Sequence, residues 1–294
     1  MANAGYTLAV IGGSGLYEIA GLQNTTEVTV DTPYGPPSDA LIKGVLGDTT
    51  MLFLPRHGRG HRIPPHAINY RANIAALKLA GATHLVTVSA VGSMKESIAP
   101  GDLVVPDQFI DLTKRRVSTF FDEDIAAHVG FADPVCSDLT SALETAAGAA
   151  LATDTKGRTG RKTHAGGTYV CIDGPQFSTR AESHLYRSWG VSVIGMTAMP
   201  EAKLAREAEL PYAVLALATD YDCWHETEEE VTVEAVMAVL AANVDAAKRT
   251  IAEVSRILPD PRKSRAAGAL KHAVMTGPDK ITPARQKQLA WLMG

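Results

Sequence analysis

Seven short apolar runs punctuate this chain, at residues 7–11, 51–54, 84–89, 103–105, 169–172, 191–194 and 213–218. Each has the length of a buried strand. The stretches between them carry a helical period instead. Ile68, Ala72, Ala75 and Leu79 share one helical face, as do Leu139, Leu143, Ala146 and Ala150. Thr179 followed by Glu182 has the spacing of a capping box, which predicts a helix start. The longest stripe runs through Val236, Leu240, Val244, Ala247, Ile251, Val254 and Leu258. Strands alternating with helices imply an α/β fold around a parallel or mixed sheet.

At 294 residues, with 46% hydrophobic and 20% charged, the chain can bury a large core as one large domain or two small ones. No internal repeat or convincing linker is visible, and the best boundary lies near Pro259-Asp260-Pro261. We therefore expect a main domain over 1–258 and a helical appendage over 259–294, with short helices at 266–274 and 283–292. The appendage holds seven Lys or Arg against two Asp, a net of +5, whereas the whole chain carries −4. Sparse charge with little aromatic interleaving suits a packing or subunit-contact role better than a nucleic-acid arm. The opening residues lack a basic segment before a long apolar stretch, and no run of about 18 apolar residues occurs, so neither a secretory signal nor a membrane span is expected. Three scattered cysteines, Cys136, Cys171 and Cys223, suit free thiols in a reducing cytoplasm.

Several strand ends carry residues suited to chemistry. Gly12-Gly13-Ser14-Gly15 closes the first run. Such a loop can aim N–H groups and a hydroxyl at an anion, or be an ordinary tight turn. It lacks the third glycine of a dinucleotide fingerprint and the Gly-Lys-Ser/Thr of a Walker loop. Arg56 and His57 follow the second run, and Arg56 offers a planar fork for oxyanions. Ser89-Ala90-Val91-Gly92-Ser93 and Met196-Thr197 are two further strand ends rich in small or hydroxyl residues. Together these ends describe a crevice at the carboxyl edge of a sheet. Asp220 and Asp222, two apart after the last run, project to one side if the strand persists. Such a pair can share a proton or accept from an amine, and a helix cap or solvated turn is the alternative. No further carboxylate or histidine stands at a spacing that would complete a metal site.

The segments Ile11-Gly12-Gly13-Ser14-Gly15-Leu16, Asp31-Thr32-Pro33-Tyr34-Gly35, Arg56-His57-Gly58, Asn69-Tyr70-Arg71-Ala72-Asn73, Gly101-Asp102, residues 174–183 and residues 218–224 occur in this order. Over residues 6–258 the chain resembles the methylthioadenosine-cleaving branch of the purine nucleoside phosphorylase family. The resemblance implies a single α/β domain around a distorted mixed sheet or partial barrel flanked by helices, usually a homotrimer. It implies phosphate binding by Ser14, Arg56, His57, Ala90 and Thr197, with Ser89 beside them. Met196 would lie under the ribose, and Phe177, Ser178, Asp220 and Asp222 would surround the purine. Val233 and Val236 would line the pocket for the 5′ substituent, with His128 offered by a neighbouring subunit. The chain departs most from the family over residues 113–134. That segment holds three of the six phenylalanines, Phe120, Phe121 and Phe131, which a subunit interface or an internal flap would use.

The expected reaction is phosphorolysis of S-methyl-5′-thioadenosine to adenine and 5-methylthioribose 1-phosphate, with Asp220 and Asp222 as the catalytic carboxylates. Phosphate is a co-substrate, and neither a metal nor an organic cofactor is needed. The rivals are a 6-oxopurine or methylthioinosine phosphorylase, a nucleosidase using water, and a non-catalytic nucleoside-binding protein. No nucleic-acid or membrane partner is expected.

Overall fold

The computed structural model of the chain describes residues 5–13, 15–122, 124–155, 158–225 and 233–293, with side chains in the last stretch from Val239 onward. In chain order the strands are β1 (Thr7–Gly12), β2 (Gln23–Val28), β3 (Leu41–Leu46), β4 (Thr49–Pro55), β5 (His84–Ser93), β6 (Leu103–Val105), β7 (Gln108–Asp111), β8 (Thr163–Ala165), β9 (Thr168–Cys171), β10 (Val193–Gly195) and β11 (Tyr212–Asp220). All seven apolar runs fall on strands. Sequence reading passes over β2, β3, β7 and β8 for physical reasons. β2 is an exposed polar strand, β3 is interrupted by Lys43 and Gly44, and β7 and β8 are short and half-exposed.

The strands form one mixed sheet in the order β2-β3-β4-β1-β5-β10-β9-β7, and β11 joins β5 to β6 and β8. β5 is the pivot. Its residues 85–87 pair with both β1 and β11, and Gly92 pairs with both β10 and β11, so β1 and β10 share one edge of β5. β1 covers that edge only through Thr87, and β10 begins only at Gly92. The sheet therefore parts along residues 88–91, where backbone groups have no strand partner on one side. β1, β4, β5 and β11 are mutually parallel, so their carboxyl ends gather beside this opening.

The helices are α1 (Tyr70–Leu79), α2 (Ser137–Ala152), α3 (Arg180–Ser188), α4 (Ala198–Glu207), α5 (Val233–Val254) and α6 (Pro283–Met293). Alternate residues of β1 feed two cores. Ala9 and Ile11 join Ile74 and Leu77 of α1 and Ala202 and Leu204 of α4, whereas Leu8 and Val10 join Leu139 and Leu143 of α2 and Ala247 and Ile251 of α5. α3 begins at the expected capping box: Thr179 accepts from the Glu182 N–H, and Glu182 accepts from the Thr179 N–H at 2.7 Å.

The tail packs on the α1–α4 side. Ile281 and Leu289 enter that core, and the Trp291 ring lies edge-on to Phe120 at 5.0 Å. Arg285 of α6 reaches the Asp122 carbonyl at 2.7 Å and its carboxylate at 3.0 Å. A helix is present at 283–293, but the one expected at 266–274 is absent. Gly268 there has φ +72°, and only every second N–H (267, 269, 271, 273) bonds three residues back, so the segment is a chain of turns. Phe120 and Phe121 are buried within this chain. Their side chains therefore serve this chain's own core, whereas Phe131 is only partly buried against it.

Candidate active site

The register of the parallel strands sets the site at one height. Gly12 lies level with Pro55, and Ala216 with Ser89, so Gly13, Arg56, Ala90 and the end of β11 emerge at the same edge. β10 runs antiparallel to β5 with Ile194 opposite Gly92, which brings Thr197 back toward Ser89. Their hydroxyls are 3.1 Å apart, and the Tyr169 hydroxyl lies 3.3 Å from Ser89. Ala90 is exposed on an otherwise buried strand, at the opening between β1 and β10. Gly195 carries the backbone past Tyr169, where an added Cβ would stand 2.0 Å from the phenol oxygen. Four of the residues expected around phosphate, Arg56, Ser89, Ala90 and Thr197, thus meet beside the gap in the sheet. Ser14 lies outside the described residues.

Arg56 differs from expectation. Its guanidinium is buried and chelates Glu201, itself 0% exposed, through Nε at 2.6 Å and Nη2 at 3.2 Å. Nη1 donates to the Val88 carbonyl at 3.0 Å, and Nη2 also meets Thr87 Oγ1. The Thr87 hydroxyl donates to Glu201 Oε2 at 2.8 Å. Burial opposes the charge on Arg56, but Glu201 outweighs it and holds the proton more firmly than usual. The fork read from sequence as free for an oxyanion is therefore spent on Glu201 and on a carbonyl of the open strand edge. One N–H of Nη1 remains outside these contacts.

His57 is oriented by the backbone. Its Nδ1 lies 2.8 Å from the Ile63 carbonyl, which can only accept, so Nδ1 carries the hydrogen and Nε2 presents a lone pair when the ring is neutral. Burial, helped by the Arg56 charge, pushes the imidazole down to about 4. The ring stacks on His61 with centroids 4.2 Å apart.

The two aspartates stand at the end of β11. The Asp222 N–H donates to Asp220 Oδ1 at 2.8 Å, and Thr219 Oγ1 donates to Asp220 Oδ2 at 2.6 Å. Each oxygen of Asp220 thus has one lone pair engaged by these contacts. Asp222 has φ +52°, a left-handed conformation that Asp tolerates better than most residues. Its Oδ2 accepts from Ser183 Oγ on α3 at 2.5 Å, and burial raises its carboxyl above the ordinary range. Gly92 of β5 leaves room for the pair, since a Cβ there would stand 3.0 Å from Asp220 Oδ1.

The loop between β9 and α3 supplies the remaining predicted residues. Phe177 is 57% exposed, and the Ser178 hydroxyl is buried without a hydrogen-bond partner among the described residues. Gly174 has φ +68°, and a Cβ there would meet Met196 Sδ at 2.5 Å, so the Met196 side chain lies against this loop. His128 is exposed, and its N–H bonds to the Ala273 carbonyl of the tail. Among the described residues no hydrogen bond joins it to the site. The side chains of Val233 and Val236 lie outside the described residues. Among the described residues no cluster of three His, Cys, Asp or Glu could hold a metal ion.

Sequence reasoning missed Glu201, Thr87, Tyr169 and Ser183. The usable signal was Glu201, a lone carboxylate in the apolar stretch Met196–Ala202, because a charge buried there requires a partner.

The family model of the phosphorylase superfamily matches residues 7–256. An S-methyl-5′-thioadenosine phosphorylase from Geobacter sulfurreducens is 52% identical over 288 residues, 98% of either chain. One from Synechocystis is 51% identical, over 98% of this chain and 86% of its own. Among solved structures, a methylthioadenosine phosphorylase from an Antarctic soil metagenomic library is 47% identical and superposes with a TM-score of 0.91 over 99% of this chain and 100% of the other. Methylthioadenosine phosphorylase from Schistosoma mansoni in complex with adenine is 36% identical, with a TM-score of 0.82 over 92% and 99%. A match over most of the length, with relatives aligned from end to end, places this chain in the phosphorylase superfamily.

Proposed function

We propose that this protein cleaves S-methyl-5′-thioadenosine with inorganic phosphate, releasing adenine and 5-methylthioribose 1-phosphate. The observation that carries the reading is the placement of two chemically opposite groups on one strand pair. Ser89 and Ala90 of β5 stand with Thr197 at the gap, and the Asp220–Asp222 pair stands beside Gly92 of the same strand. Phosphate would meet hydroxyls, the N–H groups of the 12–15 loop with Ser14 and the remaining Arg56 N–H, and a phosphate O–H would donate to His57 Nε2. Met196 would lie under the ribose, Phe177 and Ser178 beside the purine, and Val233 and Val236 at the 5′ end.

The chemistry follows from those roles. The departing purine must take a proton or a strong hydrogen bond at N7. In this reading Asp220 donates at N7, and Asp222, whose backbone N–H donates to Asp220 Oδ1 and whose own carboxyl is held by Ser183, keeps it in place. The Asp220 carboxylate also accepts from the N6 amine in this reading. General-acid help of this kind contributes about 10²–10⁴ in rate. Holding phosphate against C1′ as the sugar gains positive charge contributes roughly 7–11 kcal/mol of the barrier. A 6-oxo purine would turn lone pairs toward lone pairs, which argues for the amino substrate. Assembly as a homotrimer, with His128 offered across the contact, and a cytoplasmic location belong to the same reading. A substrate panel tests it: adenine should form quickly from methylthioadenosine with phosphate, and methylthioinosine should react far more slowly. Equal rates for the two nucleosides would refute the role given to the aspartates.

A further inference from the structure

Arg116 lies in the segment 113–134, and its side chain is only 1% exposed. Nε donates to Asp173 Oδ1 at 2.9 Å, and Nη2 donates to the Asp173 carbonyl at 2.6 Å. The two N–H groups of Nη1 are shared among the carbonyls of Met196 and Met199, at 2.8 and 2.7 Å, and the Tyr70 hydroxyl, at 2.9 Å. One planar cation thus bridges two loops that are separated in sequence. The first, 172–178, carries the residues given to the purine. The second, 196–199, carries Met196 and Thr197, given to ribose and phosphate. Contact between Met196 and Gly174 makes a second seam between the same loops.

We propose that Arg116 is a positioning residue that joins these two loops, so that phosphate and purine bind with coupled affinity. The inference rests on the function proposed above. Ordering residues 196–199 around phosphate fixes the Met196 and Met199 carbonyls. Those carbonyls fix the guanidinium, and the guanidinium fixes the 172–173 turn. The second ligand then meets a loop already in place, and by linkage the effect is reciprocal. Lysine cannot substitute, because three donors on a flexible stem cannot span acceptors spread around a planar fork.

The test is calorimetric titration of the full-length protein with adenine, with and without saturating inorganic phosphate. We expect phosphate to tighten adenine binding by about 5-fold or more, within the usual span of such couplings. In Arg116→Lys the factor should fall below about twofold, well under that span, with each ligand still binding alone. A purely packing role would lower the melting temperature and leave the ratio intact. Unchanged coupling in a folded Arg116→Lys, or none in the wild type, overturns the proposal. If Arg116→Lys fails to fold, Asp173→Ala decides, since it removes the acceptor that holds Nε to the 172–173 turn. Reduced coupling supports the proposal, and unchanged coupling overturns it. A wild-type protein that binds neither adenine nor phosphate would instead sink the functional reading itself.

Discussion

Arg56 and Asp220 show how differently two charged residues at strand ends can be used. Arg56→Ala would leave the Glu201 carboxyl, 0% exposed, with only the Thr87 hydroxyl among the described residues to satisfy it. Removing one partner of such a pair costs about 3–5 kcal/mol, while replacing both by apolar residues is often tolerated. Denaturant unfolding should therefore show a large loss for Arg56→Ala and a much smaller one for Arg56→Met with Glu201→Leu. Equal losses would mean that the pair is not what stabilises this corner. Asp220 is a site of discrimination. Asp220→Asn should sharply lower turnover of methylthioadenosine and narrow its advantage over methylthioinosine, which can reach about 10⁴ in sites built on such hydrogen bonds. A constant ratio of the two kcat/KM values in the folded variant would remove Asp220 from base reading. The aspartates were legible in the sequence because a strand end fixes where neighbouring side chains go. The Glu201 partnership was not, because it joins residues 145 positions apart and only the folded sheet brings them together.

At the scale of elements, the site exists because β5 changes neighbours. β1 leaves its edge after Thr87 and β10 takes it up at Gly92, and Ser89 and Ala90 stand in the interval. The apolar run at 84–89 announced the strand, but nothing local announced the change of partner. Gly92 stands where three strands meet, and a Cβ there would press on Asp220 Oδ1 and on the Ile194 side chain at 3.0 Å each. Gly92→Ala should cost about 1–3 kcal/mol, the usual penalty for overpacking, and should raise KM for the nucleoside more than KM for phosphate. An equal rise in both would place the disturbance outside the purine end. Helical periodicity found α1, α2 and α5, and the capping box found α3. Periodicity failed at 266–274, where alanines at helical spacing are overridden by Gly268 in a left-handed conformation.

The whole molecule should be sensitive to acid. His57 and His84 are each pushed down to about 4, mainly by burial, and His84 Nε2 bonds to the Pro259 carbonyl at 2.9 Å. Both rings are neutral in the native state, while unfolded histidines take up protons near pH 6.5. Between those values the unfolded state binds more protons, so stability falls as pH drops. Melting temperatures in phosphate-free buffer should be level above pH 7 and decline from about pH 6.5 toward pH 4, the window set by the free and buried values. His84→Gln should decline less steeply, and an identical slope would exclude His84 as a source. The tail shares this fold-wide role, because Leu289, Ile281 and Trp291 close the α1–α4 core over Phe120. The central claim is phosphorolysis, and the most direct test is adenine release from methylthioadenosine in buffer stripped of phosphate. The account predicts negligible adenine until phosphate is added, and then one 5-methylthioribose 1-phosphate for each adenine. Undiminished release without phosphate, with free methylthioribose as the product, would contradict it.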